Sequence, residues 1–238
     1  MRPQLSVIIP ALNEARSIGA TLDALARMGE SIEVVVVDGG STDGTDEIAR
    51  RRGALVVKAE RGRGSQMHAG ALAARGVAFW FLHADTLAPA DATARIASAL
   101  RDPRVVGGNF RVRFDGTRRA ARFLTWLYPQ LRRLGLCYGD SGIFVSRAAY
   151  ERAGGFKPFP IFEDLDLLRA LWRLGRVVHL DSTVVTSSRR FEGRSFALTF
   201  ARWSALQTLY WLGVHPRTLG RLYYPAKRSS EKAVSSEQ

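Results

Sequence analysis

Ile32-Glu33-Val34-Val35-Val36-Val37-Asp38-Gly39-Gly40-Ser41-Thr42-Asp43-Gly44-Thr45 is a β-branched run that reaches an aspartate and dissolves into turn residues. A valine run of this kind suits a strand buried on both faces, as in a parallel sheet. A helix is expected from this loop to about Arg52. The same rhythm recurs on both sides. Leu5-Ser6-Val7-Ile8-Ile9-Pro10 reads as a first strand, and Asn13 as the cap of a helical pattern with Ile18, Leu22 and Leu25 on one face. Leu55-Val56-Val57 reads as a third strand, residues 62–64 as a loop and residues 66–75 as a helix. Ala78-Phe79-Trp80-Phe81-Leu82 is a fourth, wholly apolar strand that ends in His83-Ala84-Asp85. Four strands alternating with helices predict an α/β fold with a mostly parallel central sheet and helices on both faces.

The second half is less regular. Residues 105–114 read as a strand. Residues 117–128 read as an amphipathic helix with Ala120, Phe123, Leu124 and Leu127 on one face, which Pro129 should end or kink. Residues 139–145 suggest a glycine-flanked strand, 162–174 a helix, 176–185 a strand and 195–212 an aromatic-rich helix. The polar tail from Lys227 is expected to be disordered. The expected division is one α/β domain over 1–190, a helical extension over 191–226 and a tail over 227–238.

Composition sets the bounds. The chain has 238 residues, 46% of them apolar, enough for one sizeable core. Its single cysteine, Cys137, cannot form an internal disulfide, so a reducing, cytoplasmic setting is expected, with Cys137 as a small buried side chain. The opening apolar run is too short for a signal peptide. No segment reaches the roughly 18–20 apolar residues of a spanning helix, and the nearest candidate, between Arg202 and Arg217, falls short. The net charge of +13 is unevenly placed. Residues 101–133 carry 9 basic and 2 acidic side chains, residues 186–238 carry 9 and 3, and the rest is balanced. Nucleic acid, an anionic membrane or a pyrophosphate would each suit such an excess, and so would plain solvated faces.

The polar clusters Asn13-Glu14, Asp38 to Asp43 and His83 to Asp85 all follow strands, and in such sheets ligands bind beyond the carboxyl ends. Asp85 read alone caps a turn. Read with the others, it is a carboxylate suited to anchor a hard divalent cation that bridges to phosphate oxygens. Asp38 suits a base or ribose, or merely its own turn, and Gly39-Gly40 allows close backbone approach. Arg61-Gly62-Arg63-Gly64 suits phosphate or an ordinary surface loop. Glu163-Asp164-Leu165-Asp166 opens a helix, where acids either complement the macrodipole or supply a general base. Tyr138-Gly139-Asp140-Ser141-Gly142 lines an acceptor pocket or makes a turn. His68, His83, His179 and His215 show no metal-ligand spacing.

Together these clusters resemble glycosyltransferase family 2, the inverting enzymes of GT-A fold. Ser6-Val7-Ile8-Ile9-Pro10-Ala11-Leu12-Asn13-Glu14 resembles the family's opening strand and loop, and Val36 to Thr45 its nucleotide-binding turn. Phe81-Leu82-His83-Ala84-Asp85 stands where the family has Asp-x-Asp. Gly154-Gly155-Phe156 followed by Glu163-Asp164-Leu165-Asp166-Leu167 resembles its base-bearing segment. The resemblance covers residues 5 to about 180. Gly62-Arg63-Gly64-Ser65-Gln66-Met67, Leu82-His83-Ala84-Asp85-Thr86 and Gly139-Asp140-Ser141-Gly142-Ile143-Phe144-Val145 are similar to a small bacterial subgroup associated with radical-SAM or selenium-related genes.

The resemblance implies a sugar transferase using a nucleotide-diphosphate donor, UDP-sugar favoured, with Mg²⁺ or Mn²⁺. It assigns donor contacts to Pro10, Asn13, Glu14, Asp38, Gly40, Arg63, Gln66, His83 and Asp85, and the metal to Asp85. Asp164 is the implied base with Glu163 beside it; Asp140 and Ser141 remain the acceptor candidates read from the residues themselves. The first acid of the Asp-x-Asp pattern is His83 here, which leaves Asp85 as the one carboxylate of that triplet. Three other readings stay open. A nucleotidyltransferase would want a glycine-rich basic loop where Ala11-Leu12-Asn13-Glu14 stands. An inactive nucleotide-sugar-binding or membrane adaptor would not need both Asp85 and Asp164. A nucleic-acid binder explains the charge but not the acids, so no nucleic acid is expected. Phe196, Phe200, Trp203, Tyr210 and Trp211 among Arg194, Arg202, Arg217 and Arg221 suit either a bilayer interface or a helix packed on the domain. The first predicts peripheral contact with the anionic inner face of the membrane and a lipid acceptor, with a small molecule as the other choice.

Overall fold

The computed structural model describes residues 3–28, 32–133, 138–189 and 195–223. Strands β1 (Leu5–Ala11), β2 (Ile32–Asp38), β3 (Leu55–Lys58) and β4 (Ala78–Phe81) run parallel in the order β3-β2-β1-β4. Beyond β4 come β7 (Phe144–Ser146), antiparallel to both neighbours, then β6 (Val105–Phe114) and β8 (Arg176–Thr186), which pair in parallel. The short β5 (Thr86–Leu87) closes the edge against β8. The whole is one eight-stranded, mostly parallel sheet.

Side-chain alternation along each strand splits the core into two layers. Val7 and Ile9 of β1 and Trp80 of β4 face α1 (Ile18–Ala26), α4 (Ala92–Leu100) and α5 (Arg119–Arg133). Ile8, Phe79 and Phe81 face α3 (Arg63–Ala73), α6 (Arg147–Arg152) and α7 (Glu163–Leu174). Each such buried side chain contributes about 1.5–3 kcal/mol. Gly70 lets α3 lie flat on the sheet, since a Cβ there would sit 2.5 Å from Ile8 and 2.7 Å from Val37. A third, smaller cluster joins Phe162 and Leu165 of the α7 start to Leu206 and Tyr210 of α8 (Phe196–Trp211) and Leu219 of α9 (Pro216–Tyr223). Among the described residues, no helix is long and apolar enough to cross a membrane.

Several local expectations are corrected. Helix α1 begins at Ile18 after Ser17, not at Asn13. Asn13 adopts φ 55° and its side chain accepts the Thr42 N–H, so it serves a neighbouring loop instead of a helix end. Helix α3 already begins at Arg63, leaving Gly62 as the loop. Helix α5 runs through Pro129 to Arg133. Tyr128, packed on Phe114 at 5.2 Å and Tyr138 at 5.7 Å, holds that turn despite the lost N–H. Its buried face is Ala121, Leu124 and Tyr128, whereas Phe123 is exposed. Residues 139–145 are not one strand. A 3₁₀ turn over Gly139–Ser141 ends at Gly142, φ 62°, before β7 begins. Cys137, Arg194 and the tail from Lys227 lie outside the described residues.

Candidate active site

The loops after β1 and β2 are laced together. The Asn13 N–H donates to Ser41 Oγ at 2.9 Å, the Thr42 N–H to Asn13 Oδ1 at 2.9 Å, and the Glu14 N–H to Thr45 Oγ1 at 2.8 Å. Asp38 is fully buried, and its carboxylate accepts the N–H groups of Gly40 and Ser41 at 3.1–3.3 Å. It shapes its own loop, and Gly40, at φ 94°, makes the turn that this requires. Gln66 is buried too. Its amide donates to the carbonyls of Ala11 and Val37 at 2.9 and 2.8 Å, and so pins the ends of β1 and β2 to α3. Pro10 lies within β1.

Two acid pairs stand at this edge, each closed by an arginine. In the first, Arg189 bridges Glu14 and, at 3.2 Å, Asp85. Burial pushes the Asp85 carboxyl up from its ordinary range, while His83 and Arg189 pull it back. In the second, Arg63 bridges Glu163 and, at 3.5 Å, Asp164. Asp164 Oδ2 accepts the Gly139 N–H at 2.6 Å, and Oδ1 accepts the Leu165 N–H at 2.8 Å. Burial, then the neighbouring Glu163, pushes Asp164 up to about 6, against the pull of Arg63 and these amides. Burial works against the Arg63 charge, but Glu163 and Asp164 overrule it and hold the guanidinium protonated. Phe162, just ahead of the pair, sits at φ 63°, a strained geometry for a phenylalanine.

The 3₁₀ turn joins the two pairs. Asp140 Oδ1 lies 3.2 Å from His83 Nδ1, and the Tyr128 hydroxyl donates to Asp140 Oδ2 at 3.2 Å. The Asp140 charge bears on both Arg63 and Asp85. A Cβ on Gly139 would lie 3.2 Å from Asp164 Oδ2, 3.4 Å from His83 Nε2 and 3.8 Å from Arg63 Cζ. Ser141 is set back, buried, with its hydroxyl donated to the Tyr138 carbonyl and accepting from Asn109. The fold thus brings Glu14, His83, Asp85, Arg63, Asp140, Glu163 and Asp164 together, while Asp38, Gln66 and Ser141 face inward. Sequence reasoning missed Arg189, which counted only as part of the basic excess after residue 186, and the Gly139 amide.

A family model described as Glycosyl transferase family 2 matches residues 6–154. The chain belongs to glycosyl transferase family 2. It is a glycosyltransferase, and its sheet has the GT-A architecture. It is 30% identical over 207 residues to a PGL/p-HBAD biosynthesis glycosyltransferase of Mycobacterium bovis (strain BCG / Pasteur 1173P2), covering 81% of this chain and 79% of that one. It resembles the structure of a mannosyltransferase from Pyrobaculum calidifontis in complex with GDP-Man and Mn²⁺ (TM-score 0.66, 26% identity, 88% of this chain and 62% of that one). The glucosyl-3-phosphoglycerate synthase from Mycobacterium tuberculosis, in complex with Mn²⁺, UDP and glucosyl-3-phosphoglycerate, shares the fold (TM-score 0.65, 22% identity, 90% of this chain and 81% of that one).

Proposed function

We propose that this glycosyltransferase moves a sugar from a nucleotide-diphosphate donor, a UDP-sugar before others, to an acceptor hydroxyl with inversion. The observation that carries the reading is Asp164, a buried carboxylate raised to about 6 beside Arg63 and facing the Asp85 cluster across one 3₁₀ turn. A carboxylate of that pKa is ionised at neutral pH and still basic enough to take a proton. Asp164 accepts the proton of the acceptor hydroxyl as its oxygen attacks the anomeric carbon. The bond from that carbon to the diphosphate oxygen breaks, and its electron pair leaves with the nucleoside diphosphate. Glu163, held by Arg63, keeps the base oriented. Asn13, Glu14, Asp38 and Gly40 form the loops over which the nucleoside lies, with Gln66 as their brace.

Asp85 fits a divalent cation, Mg²⁺ or Mn²⁺, as a single anchor. It is a hard oxygen donor, largely desolvated, in a field to which Glu14 and Asp140 add negative charge. Among the described residues no cluster of three or more His, Cys, Asp or Glu side chains could hold a metal, so the remaining ligands would come from the diphosphate. A cation held by Asp85 would supply charge neutralisation for the departing diphosphate. The Arg189 guanidinium is the positive charge now beside Asp85, and it must yield that carboxylate. Residues 62–67, 82–86 and 139–145 support membership of the radical-SAM-associated subgroup. Residues 1–190 act as the catalytic domain and 191–226 as an extension of it. The setting is cytoplasmic.

A thermal-shift series with UDP-sugars and GDP-sugars, each with Mn²⁺ or with chelator, tests the donor reading. We expect stabilisation by a UDP-sugar that the chelator removes. No shift with any nucleotide sugar overturns the reading.

A further inference from the structure

The two basic segments, far apart in sequence, meet in space. Phe123 of α5 contacts the rings of Phe196 and Phe200 of α8, each at 5.8 Å, and its own neighbour Trp126 at 5.9 Å. Helix α8 buries only Leu206, Gln207 and Tyr210. Its outward face carries the exposed Ala197, Leu198, Ala201, Ala205 and Trp211, with Leu198 at 73% and Trp211 at 53%, and among them the small hydroxyl residues Ser204 and Thr208. Trp126 on the adjoining helix is 62% exposed. Exposed helix faces ordinarily carry charges of both signs. The outer charge on α8, Arg202, is turned to the end of α9, donating to the carbonyls of Leu222 and Tyr223 at 2.6 and 2.7 Å.

The segments that build this apolar face carry charge of one sign only, the nearby exposed Asp181 being engaged by Arg111 and Arg132. Residues 116–133 and 193–230 contain no aspartate or glutamate. Arg118, Arg119 and Arg122 beside α5, and Arg217 and Arg221 of α9, are all exposed. A protein partner or a second copy would more naturally meet a rim of mixed charge. An apolar, indole-bearing face on segments whose exposed charges are guanidinium groups matches the headgroup boundary of an anionic bilayer. We propose that α5, α8 and α9 form a docking surface for anionic lipid, and that the enzyme takes an amphiphilic acceptor hydroxyl from that surface.

The second half of the proposal rests on Asp164 as the base. The inner side of α8 packs directly on the start of α7. Tyr210 packs at a tilt on Phe162, ring centres 4.8 Å apart, and Leu206 clusters with Leu165. The Tyr138 hydroxyl donates to Gln207 Oε1 at 3.2 Å, one residue before Gly139. One layer of side chains therefore separates the docking helix from the catalytic acids. Packing on the domain and binding a membrane are not exclusive for this helix, because opposite faces do each.

Sedimentation with phosphatidylcholine vesicles, with and without phosphatidylglycerol, at low and high salt, tests the surface. Wild-type protein is expected to sediment with the phosphatidylglycerol vesicles at low salt and to be released at high salt. The pair Leu198→Glu and Trp211→Glu should weaken partition roughly tenfold or more. The pair Arg118→Glu and Arg122→Glu should cost about fivefold for each arginine removed. UDP binding with Mn²⁺ in the same samples should not change. If the α8 variant unfolds, Trp126→Glu on α5 gives the same readout. Wild-type protein that stays in the supernatant overturns the proposal. So does a dimer in sedimentation velocity that Leu198→Glu turns into monomer, since a second copy then covers the face. Vesicle binding without nucleotide binding would sink the donor reading and leave the surface standing.

Discussion

The two acid pairs at the sheet edge share a plan and differ in depth. Glu163 and Asp164 have side chains 1% and 4% exposed, and Arg63, itself 31% exposed, closes them. Glu14 and Asp85 are 21% and 19% exposed, and the half-open Arg189 closes them from outside. A buried ion pair that loses one partner leaves a stranded charge, so the inner clamp has no inexpensive alternative state. The outer pair is only partly desolvated, so exchanging its partner costs less than at the inner pair. Burial therefore separates a fixed acid pair inside from an exchangeable one outside; on the function proposed above, the first would hold the base and the second the counter-charge of the diphosphate.

The sharpest break would come at the inner pair. Asp164→Asn should retain donor binding and lower the rate of sugar transfer or donor hydrolysis about 10²- to 10⁴-fold. In the wild type, kcat/KM should fall about tenfold per pH unit below about 6, because protonated Asp164 accepts no proton. A pH profile flat through that range would place the base elsewhere. Arg63→Met should cost about 3 kcal/mol of stability at neutral pH in urea unfolding, since two buried carboxylates lose their cation. The sign of its pH dependence is fixed. Asp164 has its folded pKa raised, so it destabilises the fold progressively as pH climbs toward about 6, and the Arg63→Met deficit should shrink in acid. An equal deficit at low and neutral pH would mean that packing, not charge, is what Arg63 supplies.

Smaller effects are expected at the outer pair. Asp85→Ala should weaken UDP binding in Mn²⁺ roughly 10- to 100-fold and leave metal-free binding alone. Unchanged affinity in calorimetry would remove Asp85 as the anchor. Arg189→Ala should tighten UDP binding in Mn²⁺ about two- to fivefold, the scale of a screened ion pair released from competition. Weaker binding instead would make Arg189 a ligand of the diphosphate and erase the contrast between the clamps.

Local signals carried the acids, and distant contacts hid their partners. Asp85 is marked by the apolar strand ahead of it, and Glu163-Asp164 by the start of a helix, so both were legible. Arg189 meets Glu14 across 175 residues, a pairing no periodicity marks. The Gly139 N–H that orders Asp164 belongs to the backbone, so its side chain offers no clue. Asn13 and Pro129 misled for a related reason. A cap and a helix breaker are local propensities, and a cross-loop hydrogen bond and the packing of Tyr128 overrode them. The aromatic helix was ambiguous because it is apolar nearly all round, which suits burial and bilayer alike.

The separation of the clamps has a consequence during synthesis. A chain leaving the ribosome from its N-terminus presents Arg63 before Glu163, so the inner acids emerge to a waiting cation. The outer acids do the reverse. Glu14 and Asp85 both precede Arg189, so their shared cation is made last. A chain truncated before residue 189 would keep both carboxylates and lack the guanidinium that joins them.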